Sequence, residues 1–224
     1  MSTKMKKMIS FITIVLILVC GVLFVYEFYH VALYEFSNYH IYKWLGIGFA
    51  AYYILRLVPL LRKNEDWWQV FSHELSHTLV GLLFLQEIHS FNAGEREGRI
   101  THSGQKVGDL FISLAPYTLP FSTYFVLFMS LLIKPEYLYV FEIIAGFTWA
   151  FHIKCFISQT GSYQTDISRK GLFKSYAFIA TAHLFNLSVI LMSVESGIID
   201  ANIRLFTAYW SDLQQAYNFI VSLF

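Results

Sequence analysis

The run Ser72-His73-Glu74-Leu75-Ser76-His77-Thr78-Leu79-Val80-Gly81-Leu82-Leu83 sets two histidines and a carboxylate inside an otherwise apolar segment. On a helix, residues four apart project from nearly the same face about 6 Å from one another, so both imidazoles can reach one ion at zinc–nitrogen distances of about 2.0–2.1 Å. Glu74 points about 100° away from His73, where it stands beside such an ion as a general base rather than as a ligand. At membrane depth two imidazoles and a carboxylate are costly unless something pairs with them, and a metal satisfies all three at once.

The composition places this segment in a bilayer. The chain has 224 residues, 56% hydrophobic and 19% aromatic but only 14% charged, where a soluble domain of this size carries about a quarter charged residues. A formal net charge of +1 spread over scattered Lys and Arg builds no basic face, which excludes nucleic acid as a partner. Cys20 and Cys155 both lie in apolar stretches and make no disulfide framework.

With about 20 apolar residues needed to cross the hydrocarbon core, the chain reads as an all-α polytopic membrane protein of about six transmembrane helices. The expected spans cover residues 9–28, 45–61, 67–85, 107–133, 137–157 and 172–192. The first, behind Lys4, Lys6 and Lys7, lacks a small-x-small cleavage site and reads as a retained anchor. A Tyr- and His-rich turn over residues 29–42 suits an interface belt. The run Arg62-Lys63-Asn64-Glu65-Asp66 is a solvated break, and Pro116 and Pro120 predict a kink in the fourth span. Residues 202–224 regain a helical pattern interrupted by Arg204, Asp212, Gln214 and Gln215, as an interfacial or a seventh spanning helix. A single domain, residues 1–224, accounts for the whole, with its core at about 67–187.

Between the third and fourth spans, Asn92-Ala93-Gly94-Glu95-Arg96-Glu97-Gly98-Arg99-Ile100-Thr101 reads as two short extended pieces around a turn, a β-hairpin or re-entrant loop.

A catalytic zinc site needs a third protein ligand and an open position. Asp166, His152, His183, His89 and His102 are the candidates. If the third helix enters on one side and leaves on the other, the fifth span returns to the exit side, and Asp166 in the polar run 158–166 lies on that side with it. Asp166 would also suit the start of the next helix as a cap. His152 precedes Cys155 by three residues and, as a core or outer-shell histidine, could support or replace Asp166. His183 and Asn186 share that spacing and suit interhelical hydrogen bonds.

The motif from His73 to Leu83, the Gly-bearing hairpin, Leu114-Ala115-Pro116-Tyr117 and Gln164-Thr165-Asp166 together resemble the site-2 protease family of intramembrane zinc metalloproteases, in its compact branch without appended domains. The family's Asn-Pro lead-in and Asp-Gly pair are absent, since Ile167 follows Asp166. The resemblance spans about residues 67–187 and implies hydrolysis of peptide bonds in membrane-embedded substrates. It implies one Zn²⁺ held by His73, His77 and Asp166, with Glu74 as the catalytic base. It also implies that the hairpin from Asn92 to Thr101 receives an unwound transmembrane substrate by strand addition. The family setting is a multi-pass protein, here of a prokaryotic plasma membrane, with its active site toward the cytosol. Two other classes fit the same residues: a metal-binding membrane transporter, and an inactive relative that binds membrane partners without cutting them.

Overall fold

The computed structural model describes residues 3–59, 65–94, 98–103 and 108–222. It is built of helices and one small sheet. Helix α1, Thr3–Ser37, is followed by a 3-10 turn, Tyr39–Tyr42, and α2, Lys43–Leu55. Helix α3, Glu65–Leu83, leads into strands β1, Glu87–Ala93, and β2, Gly98–Ser103. Then come α4, Asp109–Thr118, α5, Phe121–Ser130, α6, Leu138–Gln159, a single turn α7, Thr165–Ser168, α8, Leu172–Ser196, and α9, Ile198–Ser222.

Three of the described helical segments are long and apolar enough to cross a membrane: Lys7–Tyr34, Pro135–Gln159 and Leu172–Ser196. Helices α4 and α5 make a fourth if they count as one broken span, since they meet at 78°. The break falls at Leu119-Pro120, where proline has no N–H to continue the ladder; Pro116 is accommodated within α4. The six-span expectation exceeds this count for physical reasons. Helix α2 has 13 residues, about 20 Å of rise, and α3 carries Glu65, Asp66, Gln69, His73, Glu74 and His77 within its 19 residues. The expected turn over 29–42 is also shortened. No Gly or Pro interrupts residues 29–37, so α1 continues to Ser37, with Val31 buried against Val189, Leu205 and Tyr209.

Strands β1 and β2 pair antiparallel, Glu87 opposite Ser103 and Ala93 opposite Gly98, with a register irregularity between Ile88 and Ser90. The expected turn at 95–97, the break at 62–64, Lys106 and the side chain of His102 lie outside the described residues. The small sheet rests on α3, where the Trp67 indole N–H donates to the Ala93 carbonyl at 3.2 Å and Phe71 meets Phe91 edge-on.

Helix α3 is held at both ends. At its start, Glu65 accepts from the Tyr52 hydroxyl at 2.7 Å and from Arg56 Nε at 2.7 and 2.8 Å, which ties it to α2. At its end Leu85 takes a left-handed φ of 57° while the Gln86 N–H closes back on the Gly81 carbonyl at 2.9 Å, a Schellman closure built without glycine. The chain then enters α4 through Gly108, φ 76°, where an added Cβ would fall 2.3 Å from the Phe84 ring. Two further glycines set a close crossing of α2 and α6: a Cβ on Gly48 of α2 would lie 1.8 Å from the Ile143 carbonyl oxygen of α6, and one on Gly146 of α6 would lie 2.0 Å from that of Leu45. Small residues permit this backbone approach.

The core beneath the motif is Leu114 and Tyr117 of α4, Ile167 of α7 and Ile179 of α8. Ile167 is fully buried, and the Ser175 hydroxyl donates to its carbonyl at 3.0 Å. That plug fixes the turn that carries Asp166.

Candidate metal centre

Residues from two distant parts of the chain meet at one point. His73 and His77 come from the middle of α3 and Asp166 from α7. The two Nε2 atoms lie 3.2 Å apart, and Asp166 Oδ2 lies 3.5 Å from His73 Nε2 and 3.4 Å from His77 Nε2. Among the described residues these three make the one group of His, Cys, Asp or Glu side chains close enough to share an ion.

Each histidine is oriented from behind. His77 Nδ1 lies 2.7 Å from the Ile112 carbonyl of α4. A carbonyl can only accept, so the proton sits on Nδ1 and the Nε2 lone pair is free. His73 Nδ1 faces the Gln159 side-chain oxygen at the end of α6 at 3.2 Å, which selects the same tautomer. Next to it, the Ser158 hydroxyl donates to the Gln69 side-chain oxygen at 2.7 Å, so the end of α6 grips α3 twice.

Two bare imidazole nitrogens and a carboxylate oxygen therefore converge with no proton of their own to share. Their separations also suit a small ion. Ligands at zinc distances near 2.0–2.1 Å in a tetrahedron stand about 3.3–3.4 Å from each other, against the 3.2, 3.4 and 3.5 Å found here. Two imidazoles and one carboxylate leave a fourth position open, the pattern of a reactive rather than a closed structural metal site.

Asp166 lies outside the long apolar helices. Burial works against its charged form, but the imidazoles of His73 and His77 beside it more than offset this and hold the carboxyl well below the usual carboxylate range. The Tyr117 hydroxyl approaches Asp166 Oδ2 at 3.4 Å, and its ring stands edge-on to His73 at 5.4 Å. Glu74 is 9% exposed and within electrostatic reach of His73, His77 and Asp166, alongside the donor set rather than in it.

The other candidates fall elsewhere. His152 and His183 lie ring to ring at 5.8 Å, and each has a buried Nε2 without a hydrogen-bond partner among the described residues. His89 belongs to β1 and stands outside the group. Of the stretch from Asn92 to Thr101, Asn92 pairs with Arg99 and Phe91 with Ile100 across the sheet. Three contributors were not singled out as site residues from sequence: Gln159, Tyr117 and the Ile112 carbonyl. Gln159 sits in the polar run 158–166, which marked the region but not the contact. Tyr117 enters the sequence reading only as part of Leu114-Ala115-Pro116-Tyr117, and the signal for the Ile112 carbonyl is Pro116, whose missing N–H leaves that carbonyl open. Compared with known protein families, characterised proteins and solved structures, the chain shows no match to any of them.

Proposed function

We propose that this protein is an intramembrane zinc metalloprotease that hydrolyses peptide bonds of membrane-embedded protein substrates. The observation that carries the proposal is the convergence of His73 Nε2, His77 Nε2 and Asp166 Oδ2, each within 3.5 Å of the others, beside the buried carboxylate of Glu74. When bound, Zn²⁺ would supply a Lewis acid that lowers the pKa of water and polarises the scissile carbonyl. His73, His77 and Asp166 would hold the ion. Glu74 takes a proton from the attacking water and delivers it to the amide nitrogen as the C–N bond breaks. Tyr117, Gln159 and the Ile112 carbonyl keep the three ligands aimed.

The finer architecture belongs to the same reading. Six membrane crossings, counting α2 and α3 as short spans, bring α3 and α7 to one face of the bilayer. The sheet region from Asn92 to Thr101, packed on α3 through Trp67 and Phe71, receives the unwound substrate by strand addition, which supplies backbone hydrogen bonds that lipid cannot. The setting is a prokaryotic plasma membrane with the site toward the cytosol.

The test is to purify the full chain and its Glu74→Gln variant, measure zinc per chain, and follow cleavage of single-span substrates in proteoliposomes. Zinc in both with cleavage only in the wild type is expected. Wild-type protein without zinc would overturn the proposal. Zinc with no cleavage of any substrate in either would favour an inactive relative, and metal flux into the vesicles a transporter.

A further inference from the structure

Away from the His-His-Asp group, α2, the start of α3 and the middle of α6 line a cavity of about 380 Å³. Its walls include Tyr52, Leu55, Trp68, Phe147 and Phe151, and its polar end is the ion pair of Arg56 with Glu65. Phe147 and Phe151 fall in the middle of the apolar segment Pro135–Gln159. Gln69, one turn beyond Glu65, is bonded by Ser158 near the end of that segment, so the polar end of the cavity lies toward the end of α6 and the phenylalanine wall lies deeper. Trp68 is 53% exposed at the same cavity, an indole of the kind that sits at a membrane interface.

The guanidinium is only partly used. Its Nε–H is shared between the two Glu65 oxygens at 2.7 and 2.8 Å, and among the described residues neither Nη group donates a hydrogen bond. Four N–H donors are therefore left on a side chain that is 32% exposed and lines the cavity. Glu65 is itself occupied, since it also accepts from the Tyr52 hydroxyl and is 9% exposed. Free donors of a cation against an apolar wall cost free energy until an acceptor fills them.

We infer that this cavity holds one phospholipid molecule, with an acyl chain against Tyr52, Phe147 and Phe151 and the phosphate on the two Nη groups of Arg56. The ligand must be apolar at one end and an anionic acceptor at the other, which is the chemistry of a bilayer phospholipid. A guanidinium fork matches phosphate oxygens in pairs, and basic pockets between helices take lipid headgroups. Glu65 already balances the charge of Arg56, so recognition rests on the free N–H donors rather than on net charge, and zwitterionic and anionic phospholipids bind alike. A transmembrane helix is too thick an occupant: at about 10 Å across, about one turn of it would fill the volume. The bound lipid would brace the Arg56–Glu65 tie that anchors the motif helix, and it requires neither zinc nor cleavage.

The test is native mass spectrometry of the delipidated full chain in detergent, titrated with dioleoylphosphatidylethanolamine, dioleoylphosphatidylglycerol and dioleoylglycerol. One molecule per chain of either phospholipid is expected, with similar affinities, and binding of the phosphate-free dioleoylglycerol weaker by about tenfold or more. Arg56→Lys keeps a cation beside Glu65 but lacks the fork, and it should bring phosphatidylethanolamine down to the level of dioleoylglycerol. Leu55→Trp leaves the ion pair in place and fills the cavity, so it covers the case in which the arginine variant does not fold; loss of the bound phospholipid is expected there as well. Equal retention of all three lipids would show adhesion by the tails alone and overturn the inference. So would phospholipid binding that Arg56→Lys and Leu55→Trp leave unchanged, or displacement of the bound lipid by an equimolar single-span peptide, which would give the cavity to a helix instead.

Discussion

The Nδ1–H of His77 donates to the Ile112 carbonyl at 2.7 Å, and this one bond joins the motif helix to the helix that follows the sheet. It leaves Nε2 bare and facing Asp166, so the backbone of α4 sets the protonation pattern of a side chain on α3. That carbonyl is open to His77 because Pro116, four residues on in α4, has no N–H to fill it.

Because the three donor atoms depend on one another, the loss of one should dismantle the site rather than weaken it in proportion. Asp166→Asn keeps the shape of the side chain but removes its charge. Zinc content after dialysis against a weak chelator is expected to fall to background, as for His77→Ala. Retention of full zinc by Asp166→Asn would remove Asp166 from the ligand set.

Gln159 acts on His73 from behind, through 3.2 Å. Gln159→Leu is expected to leave the fold intact and lower zinc affinity by about 10–100-fold, the usual effect of losing an outer-shell partner. Competition with a chromophoric chelator reads this directly. Gln159→Glu, which restores an acceptor, should recover much of the loss.

Ile167 is the anchor of the turn that carries Asp166, fully buried against Leu114, Tyr117 and Ile179. Ile167→Ala should cost about 2–5 kcal/mol through the cavity it leaves, and it should weaken zinc binding because Asp166 loses its fixed position. The unfolding midpoint and the zinc titration are both expected to move; a lower midpoint with unchanged zinc affinity would show that Asp166 is placed by other contacts.

Gly146 meets α2 where an added Cβ would lie 2.0 Å from the Leu45 carbonyl oxygen. Gly146→Ala must push the helices apart, at about 1–3 kcal/mol. Gly46→Ala provides the contrast, since a Cβ there meets nothing within 4 Å. Unfolding midpoints in one detergent should separate the two variants clearly.

Asn186 stitches the broken helix pair to α8. Its side-chain amide donates to the Thr118 carbonyl at 2.6 Å, just before the break at Leu119-Pro120, and its oxygen accepts from the Tyr124 hydroxyl. Asn186→Leu leaves both groups without this partner and should destabilise by about 1–2 kcal/mol. A midpoint equal to that of the wild type would show that water or lipid replaces the amide.

Much of this molecule was legible in one dimension. The apolar runs marked the helices because each must bury or lipidate a whole face, and the i, i+4 histidines were bound to share a face of α3 by helical period alone. The kink near Pro120 followed from a missing N–H. The polar run after α6, isolated between apolar helices, marked Asp166 as a residue with a reason to be there. What sequence could not supply was lateral packing. Helix lengths near the bilayer limit, as in α2, and polar helices such as α3 made the number of crossings a matter of neighbours rather than of hydropathy. The roles of Gln159, Tyr117 and the Ile112 carbonyl depend on which helix faces pass within 3.5 Å. Local period thus determined half of the candidate metal centre, the pair on α3. Only tertiary packing decided the other half, because the plug at Ile167 and the close crossing of helices bring α7, α4 and α6 to that pair.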